Sequence, residues 1–383
     1  MTLRVLQVIG AMDRGGAETM LMNLHRTIDR DEVQFDYLVH EQRECDYDAE
    51  IEKLGGRLFR LPRYTVANGA TYRRLVRAHL QEHPEHRIVH GHIGSSASIY
   101  LDEARRAGRF GIAHSHSQNY LHGFMGLAFR AMTRSTRNVA DYFFACSREA
   151  GIDRYGAAVV EGDRFSIMNN GIDLAAYVCD EERHEAARRA LGFGPSMLRG
   201  GAPVIGHVGR LSPEKNHAFL LDVFAAVLRA FPDARLVCVG RGPLDAELRA
   251  AASERGLADR VAFAGVSNDV PAYLAAFDVF VFPSTREGLP LAAVEAQAAG
   301  LPVAMSTGVP ELAVVSPRTE RLPLDAGPDA WTDRVIGMLR DAASTPRTDC
   351  TAAVRAAGFD IRDTARWLSA FYLEHDPARD KRR

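Results

Sequence analysis

Cysteine is scarce in this chain: five residues in 383, at positions 45, 146, 179, 238 and 350. The number is odd, the spacing is wide and no Cys-x-x-Cys occurs. That excludes a disulfide framework and a zinc ribbon, and points to free thiols in a reducing compartment. Neither sign of charge is in excess. Lys plus Arg is 47 and Asp plus Glu is 49, a formal net charge of −2, so there is no global basic field for nucleic acid. No apolar run approaches the roughly 18–20 residues needed to span a bilayer. The N-terminus, MTLRVLQVIG, enters a strand-like run directly and lacks the basic region, longer apolar stretch and small-residue cleavage site of a secretory leader. A cytoplasmic location is the expectation. The dinucleotide fingerprint G-x-G-x-x-G and the Walker P-loop are also missing after the first strand-like run. A dinucleotide oxidoreductase is thereby disfavoured.

What is present is an ordinary globular composition, 46% apolar and 25% charged. At about 150 residues per domain the length suggests two domains. The first half alternates short apolar runs with helical patterns. The runs are Arg4–Ile9, Gln34–Val39, Arg57–Leu61, Arg87–His90, Gly111–His114, Asp141–Cys146 and Phe165–Met168, with helical stretches such as Ala17–Arg26 and Thr71–Glu82 between them. Several runs are apolar at successive positions, as in strands covered on both faces. The pattern predicts an α/β doubly wound domain over residues 1–172. Residues 173–203 are charged and Gly-rich and predict a linker with one short helix. New strand-like runs at Val204–Val208, Arg235–Val239, Arg260–Ala264 and Val279–Phe282 predict a second α/β domain over 204–358. Residues 359–383 hold a C-terminal helix pattern with Ala365, Trp367, Leu368, Phe371 and Tyr372 at helical spacing, then a basic tail.

Open parallel sheets bind ligands beyond the carboxyl ends of their strands, so polar residues just after strands carry the argument. Gly15 and Gly16 precede the first helix and would let backbone approach an anion at its N-terminus. Strand Val204–Val208 runs into Gly209-Arg210-Leu-Ser-Pro-Glu-Lys215-Asn216. A guanidinium fork and an ammonium point charge there suit a diphosphate. Strand Val279–Phe282 runs into a loop with Glu287, Gly288 and Leu289. Pro290 is expected at a first helical position, Glu295 on the next helix and Gly300 just past its end. For each, the plain alternative is a solvated loop or helix charge.

The spacing of Glu287 and Glu295, with seven residues between them and EGLPL at its head, resembles the E-x7-E signature of retaining glycosyltransferases of family 4. GGAE (Gly15–Glu18), NNGID (Asn169–Asp173), GHVGRLSPEKN (Gly206–Asn216), VGRGPL (Val239–Leu244) and FPSTREGLP (Phe282–Pro290) follow in family order and spacing. HGHIGSSAS (His90–Ser98), IAHSHS (Ile112–Ser117) and ACSREAG (Cys146–Gly151) are similar to the bacterial capsule and exopolysaccharide branch. The resemblance covers essentially the whole chain. It implies the GT-B fold: two Rossmann-like doubly wound domains facing across a cleft, with the C-terminal helix crossing back to the N-terminal domain. Residues 1–172 would then be the acceptor side and 204–358 the nucleotide-sugar side. By position, Gly16 would approach the donor diphosphate, and Arg210 and Lys215 would neutralise it. Glu287 would meet donor-sugar hydroxyls and Glu295 the ribose. Gly288, Leu289 and Pro290 would hold phosphate and sugar through backbone, the loop Gly265-Val266-Ser267 would flank the base, and His116 would lie near the reacting sugar. Two departures stand out: Arg241 where the family has an acidic residue, and Asn169 where it has proline.

His90/His92 and His114/His116 are two His-x-His pairs, and i,i+2 positions share a strand face. Either pair could bind a metal, but no carboxylate or cysteine stands at a matching spacing. Which of His114 and His116 points inward turns on one step of register. The Asp-x-Asp sequences, Asp29/Asp31 and Asp46/Asp48, stand in polar segments away from strand ends. The expectation is a metal-independent reaction with no cofactor. The resemblance implies a nucleoside-diphosphate sugar as donor and a saccharide or lipid-linked acceptor. Asn119–Arg137 mixes Phe124, Met125, Leu127, Phe129 and Met132 with Arg130, Arg134 and Arg137. It reads either as an amphipathic surface for peripheral contact at the inner membrane face or as an ordinary core helix with a basic side. Two competing readings of the chain are a sugar-nucleotide epimerase of the same architecture and a catalytically silent sugar-nucleotide-binding subunit.

Overall fold

Thirteen strands, all in parallel pairs, form two separate sheets, in a computed structural model that describes residues 2–116 and 133–379. The chain divides into two compact units, 1–172 with 360–383, and 173–359. The strands of the first unit are β1 (Leu3–Ile9), β2 (Val33–Val39), β3 (Leu58–Arg60), β4 (His86–Gly91), β5 (Phe110–Ser115), β6 (Tyr142–Ala145) and β7 (Phe165–Ile167). Their order is β3-β2-β1-β4-β5-β6-β7. The second unit has β8 (Val204–Val208), β9 (Arg235–Val239), β10 (Val261–Gly265), β11 (Val279–Phe282), β12 (Val303–Ser306) and β13 (Thr319–Leu322), in the order β10-β9-β8-β11-β12-β13. Each is a doubly wound sheet whose strand order reverses once, between β1 and β4 and between β8 and β11. Those reversals are where such sheets open a crevice at their carboxyl edge.

The central strands are buried on both faces, which explains their unbroken apolar runs. All seven residues of β2 are buried, Asp36 included. Asp36 is compensated by Arg4 at 2.5 Å, Arg57 at 2.6 Å and His86 at 2.8 Å, and these bonds outweigh burial and hold its carboxyl far below the ordinary range. The C-terminal helix Ile361–Glu374 belongs to the first unit, where Ile361, Ala365, Leu368, Phe371 and Tyr372 join the core beneath β1 and β2. Gly171 makes its entry feasible: a Cβ there would lie 2.7 Å from the Ile361 Cα. The Ile361 N–H donates to the Ile172 carbonyl at 3.0 Å, and Arg87 grips Asp376 at 2.6 and 2.8 Å.

Residues 173–203, expected as a linker, are packed into the second unit. Their helix, Glu181–Ala190, is capped by Asp180, which accepts from the Arg183 N–H at 2.8 Å. Arg188 on this helix is 0% exposed and pairs at 2.7 Å with Asp278, whose side chain is 4% exposed. It also donates to the Ala202 and Gly194 carbonyls, while Asp278 accepts from the Val204 N–H at 2.7 Å. Composition suggested a linker because the segment is charged. It packs because its one central arginine is fully paired inside. No helix among the described residues is long and apolar enough to cross a membrane. Of Asn119–Arg137, residues 119–132 lie outside the described residues.

Removing one partner of the buried pair strands the other charge. Asp278→Ala is therefore expected to lower the unfolding free energy of the second unit by about 3–5 kcal/mol. The double variant Arg188→Met/Asp278→Leu should recover most of that loss in urea melts. Equal stability of Asp278→Ala and wild type would disprove the role given to the pair.

Candidate active site

The second sheet brings two loops together at its strand-order reversal. The loop after β8 carries Arg210 and Lys215, and the loop after β11 carries Glu287. The Lys215 Nζ lies 2.6 Å from the Glu287 Oε1 and 4.7 Å from the centre of the Phe282 ring. The loops are also joined by backbone, since the Thr285 N–H donates to the Glu214 carbonyl at 2.8 Å. Arg210 is exposed, beside this pair in sequence and free of its burial. Glycine builds the crossing behind them. Gly240 has φ +138°, and a Cβ there would fall 2.0 Å from the Gly209 carbonyl oxygen. The sequence VGRGPL thus serves close backbone approach, while Arg241 itself is exposed.

The helix Leu291–Ala298 begins one residue later than expected: Pro290 is its N-cap and not its first helical residue. Gly288, Leu289 and Pro290 are buried at its entrance. Gly300, at φ +70°, follows its end. Glu295 lies on this helix and accepts a hydrogen bond from the Tyr177 hydroxyl. Burial pushes the Glu295 carboxyl up to about 6, and the Tyr177 bond pulls the other way. Val266 is exposed in the loop that leaves β10. Below Lys215, His207 is buried against His217 and Phe282, and its Nδ1 bonds the Val281 carbonyl at 2.9 Å.

In the first unit, Gly15 is the N-cap of the helix Gly16–Thr27, one residue earlier than expected. Both glycines are exposed. A Cβ on Gly15 would meet the Glu18 carboxylate, whereas nothing lies within 4 Å of one on Gly16. Glu18 sits in the first turn, and burial raises its pKa.

At the ends of β4 and β5, four imidazoles cluster. His90 and His114 are buried and stack at 5.3 Å, and His92 and His116 are half-buried and stack at 5.0 Å. Burial keeps all four well on the neutral side, with His116 brought down to about 4. One ring nitrogen from each of His90, His92 and His114 lies within 4.8 Å of the other two. Bonds of about 2.0–2.1 Å to a tetrahedral zinc ion would need those nitrogens roughly 3.4 Å apart. His92 already uses both of its nitrogens, toward Gln7 and His116. Within the group one imidazole–imidazole hydrogen bond joins His92 to His116, while His90 bonds Tyr372 and neither His114 nitrogen has a partner among the described residues. Of the Asp-x-Asp residues, Asp48 is committed to Arg60 at 2.5 Å.

Sequence reading singled out Lys215, Glu287 and Glu295; the structure brings the first two together and sets Tyr177 against the third, a contact the sequence did not signal. Tyr177 lies in NNGIDLAAY and carried no spacing signal toward Glu295. Gln7 and Tyr372, which meet in the first unit, are 365 positions apart.

Two doubly wound sheets, with a lysine–glutamate pair at the strand-order reversal of the second, define a two-unit α/β architecture, and the comparisons show which family has it. Residues 14–176 match the family described as Glycosyltransferase Family 4, and residues 202–341 match that described as Glycosyl transferases group 1. A Bacillus subtilis protein whose name makes it a glycosyltransferase, EpsF, is 37% identical over 315 residues, 80% of each chain. The GDP-mannose-dependent alpha-(1-6)-phosphatidylinositol monomannoside mannosyltransferase of Mycolicibacterium smegmatis is 30% identical over 316 residues, 77% of this chain and 78% of its own. The crystal structure of Anabaena HepE in complex with UDP and glucose superposes with a TM-score of 0.75 at 19% identity, covering 97% of this chain and 100% of that one. The chain is an enzyme of the GT-B fold, a glycosyltransferase. It belongs to glycosyltransferase family 4.

The raised Glu295 pKa gives a stability test. Near pH 4.5, its ordinary value, the carboxyl is protonated in the folded chain and ionises only at a cost as pH rises past about 6. Glu295→Gln removes that cost. The melting temperature of the variant relative to wild type should therefore rise between pH 5 and pH 8, and a difference that is flat or falls with pH would contradict the burial assigned to this group.

Proposed function

We propose that the enzyme is a retaining transferase that moves a hexose from a nucleoside-diphosphate sugar to a hydroxyl of a saccharide or lipid-linked acceptor in bacterial cell-surface polysaccharide synthesis. The observation that carries this reading is the Lys215–Glu287 pair, 2.6 Å apart at the strand-order reversal of the second sheet. An ammonium there can neutralise a departing diphosphate, and a carboxylate can accept from sugar hydroxyls. Here each satisfies the other. A bound donor would take Lys215 onto phosphate and leave Glu287 for the sugar. Arg210 adds a second cation, and the N-terminus of the helix Leu291–Ala298 adds amide donors behind Gly288, Leu289 and Pro290. Glu295 is assigned to the ribose, Val266 to the base side, Gly15 and Gly16 to the diphosphate from the first unit, and His116 to the donor sugar.

The bond from the anomeric carbon to the β-phosphate oxygen breaks through an oxocarbenium-like state. The acceptor oxygen attacks on the same face, and its proton passes to the departing phosphate. Fixed cations and amides carry the negative charge, so the reaction is assigned no metal and no cofactor. Support for the donor class comes from relatives: HepE is described with UDP and glucose, and the mycobacterial relative is named for GDP-mannose. A lipid-linked acceptor would bring the protein to the inner face of the cytoplasmic membrane, with Asn119–Arg137 as the segment assigned to that contact.

The test is calorimetric titration with UDP-, GDP-, ADP- and CMP-sugars, with and without EDTA. One nucleotide class should bind, unaffected by EDTA. Lys215→Ala should lower turnover by about 10²–10³-fold. Failure of every nucleotide sugar to bind at millimolar concentration would overturn the reading. Binding with donor turnover but no product carrying the acceptor would favour the epimerase.

Because an ionised Glu295 accepts from ribose hydroxyls more strongly than a protonated one, donor affinity should weaken as pH falls through about 6. That step should be missing in Glu295→Gln. A wild-type affinity unchanged from pH 8 to pH 5 would remove Glu295 from the nucleotide.

A further inference from the structure

A hydrogen-bonded chain runs through the first unit to His116. The Gln7 Nε2 donates to the Tyr372 hydroxyl at 3.3 Å, and that hydroxyl also meets the His90 Nδ1 at 2.6 Å. The Gln7 Oε1 lies 2.9 Å from the His92 Nε2. The His92 Nδ1 lies 2.7 Å from the His116 Nε2. Gln7 and Tyr372 are both fully buried.

The direction of this chain follows from what each atom can do. An amide oxygen only accepts, so the His92 Nε2 carries a proton. A neutral imidazole has one N–H, and burial keeps His92 neutral. Its Nδ1 is therefore a lone pair, and the proton shared with His116 sits on the His116 Nε2. His116 is neutral for the same reason, with its neighbour Arg154 opposing any charge. Its Nδ1 must then be unprotonated. That nitrogen is buried and has no hydrogen-bond partner among the described residues. A buried acceptor without a donor is costly, and a ligand hydroxyl satisfies it. His90 and His114 pack against the pair as rings, and neither bonds to His116.

We propose that His92 is a positioning residue: held by Gln7, it fixes His116 in the tautomer whose Nδ1 is a bare acceptor, ready for a hydroxyl of the donor sugar. The proposal rests on the reading that His116 meets that sugar. The C-terminal helix, through Tyr372, sets the far end of the chain. This gives a helix remote in sequence a part in orienting the site.

The experiment has one arm without substrate and one with it. In the full chain labelled with ¹⁵N-histidine, long-range ¹⁵N–¹H spectra distinguish the two tautomers, and the His116 signals are assigned by their loss in His116→Asn. Wild type should show His116 protonated at Nε2 alone. His92→Phe keeps a ring in the stack but offers no nitrogen. It should give a mixture of tautomers and lower kcat by about 10²-fold, the scale of a misplaced catalytic group. The donor KM should stay within about threefold. His92→Asn places an amide oxygen near the position of Nδ1 and should recover part of kcat.

A His116 protonated at Nδ1 in wild type would overturn the proposal. So would a His92→Phe variant with unchanged tautomer and kcat. If one equivalent of Zn²⁺ shifts the His90, His92 and His114 signals together and chelation stops turnover, the cluster is a metal site and the proposal also fails. A wild type that turns over no nucleotide sugar overturns the transferase reading instead, and the tautomer spectra then decide the positioning claim alone.

Discussion

The central strands of both sheets are parallel and buried on both faces, and that burial constrains where polar chemistry can sit in the described residues. A central strand covered by helices above and below can place polar side chains only where it is locally paired or where it ends. Asp36 shows the first outcome, with two arginines and a histidine around one buried carboxylate. The strand ends show the second. In both sheets the chemistry-bearing residues lie at carboxyl ends, and Lys215 and Glu287 are drawn together where neighbouring connections leave in opposite directions.

The two units solve the problem of polar groups at a buried edge differently. In the second unit opposite charges meet. Lys215 faces Glu287 and the Phe282 ring, and desolvation raises the carboxyl of half-buried Glu295 to about 6 against the bond from Tyr177. In the first unit the groups at the edge are imidazoles, and burial keeps them neutral. Neutral imidazoles still have direction, since each carries one donor and one acceptor.

Much of this was legible in advance. Unbroken apolar runs in Arg4–Ile9 and Val279–Phe282 mark doubly covered strands, and glycines and charges that follow them mark strand ends. Lys215, Glu287 and Glu295 stand out because the chemistry required at those ends is scarce in residue types. The segment 173–203 misled for the same reason that the rest succeeded: composition reports average polarity, and Arg188 is held inside by five specific acceptors, among them Asp278 and Ala276 some 90 positions away. Boundaries at Gly15 and Pro290 moved by one residue, because a cap is decided by one dihedral angle and not by a periodic pattern.

The sequence by itself determined the two α/β repeats, the order of the strand-end motifs and the residue types available at each, because these depend on local periodicity and composition. Only the tertiary structure decided which groups meet. Nothing local pairs Gln7 with Tyr372, Tyr177 with Glu295, or Lys215 with a glutamate 72 positions away. Those contacts arise from strand order and helix packing, and a proton's place on His116 depends on a chain of bonds that exists only once the sheet and the last helix have come together.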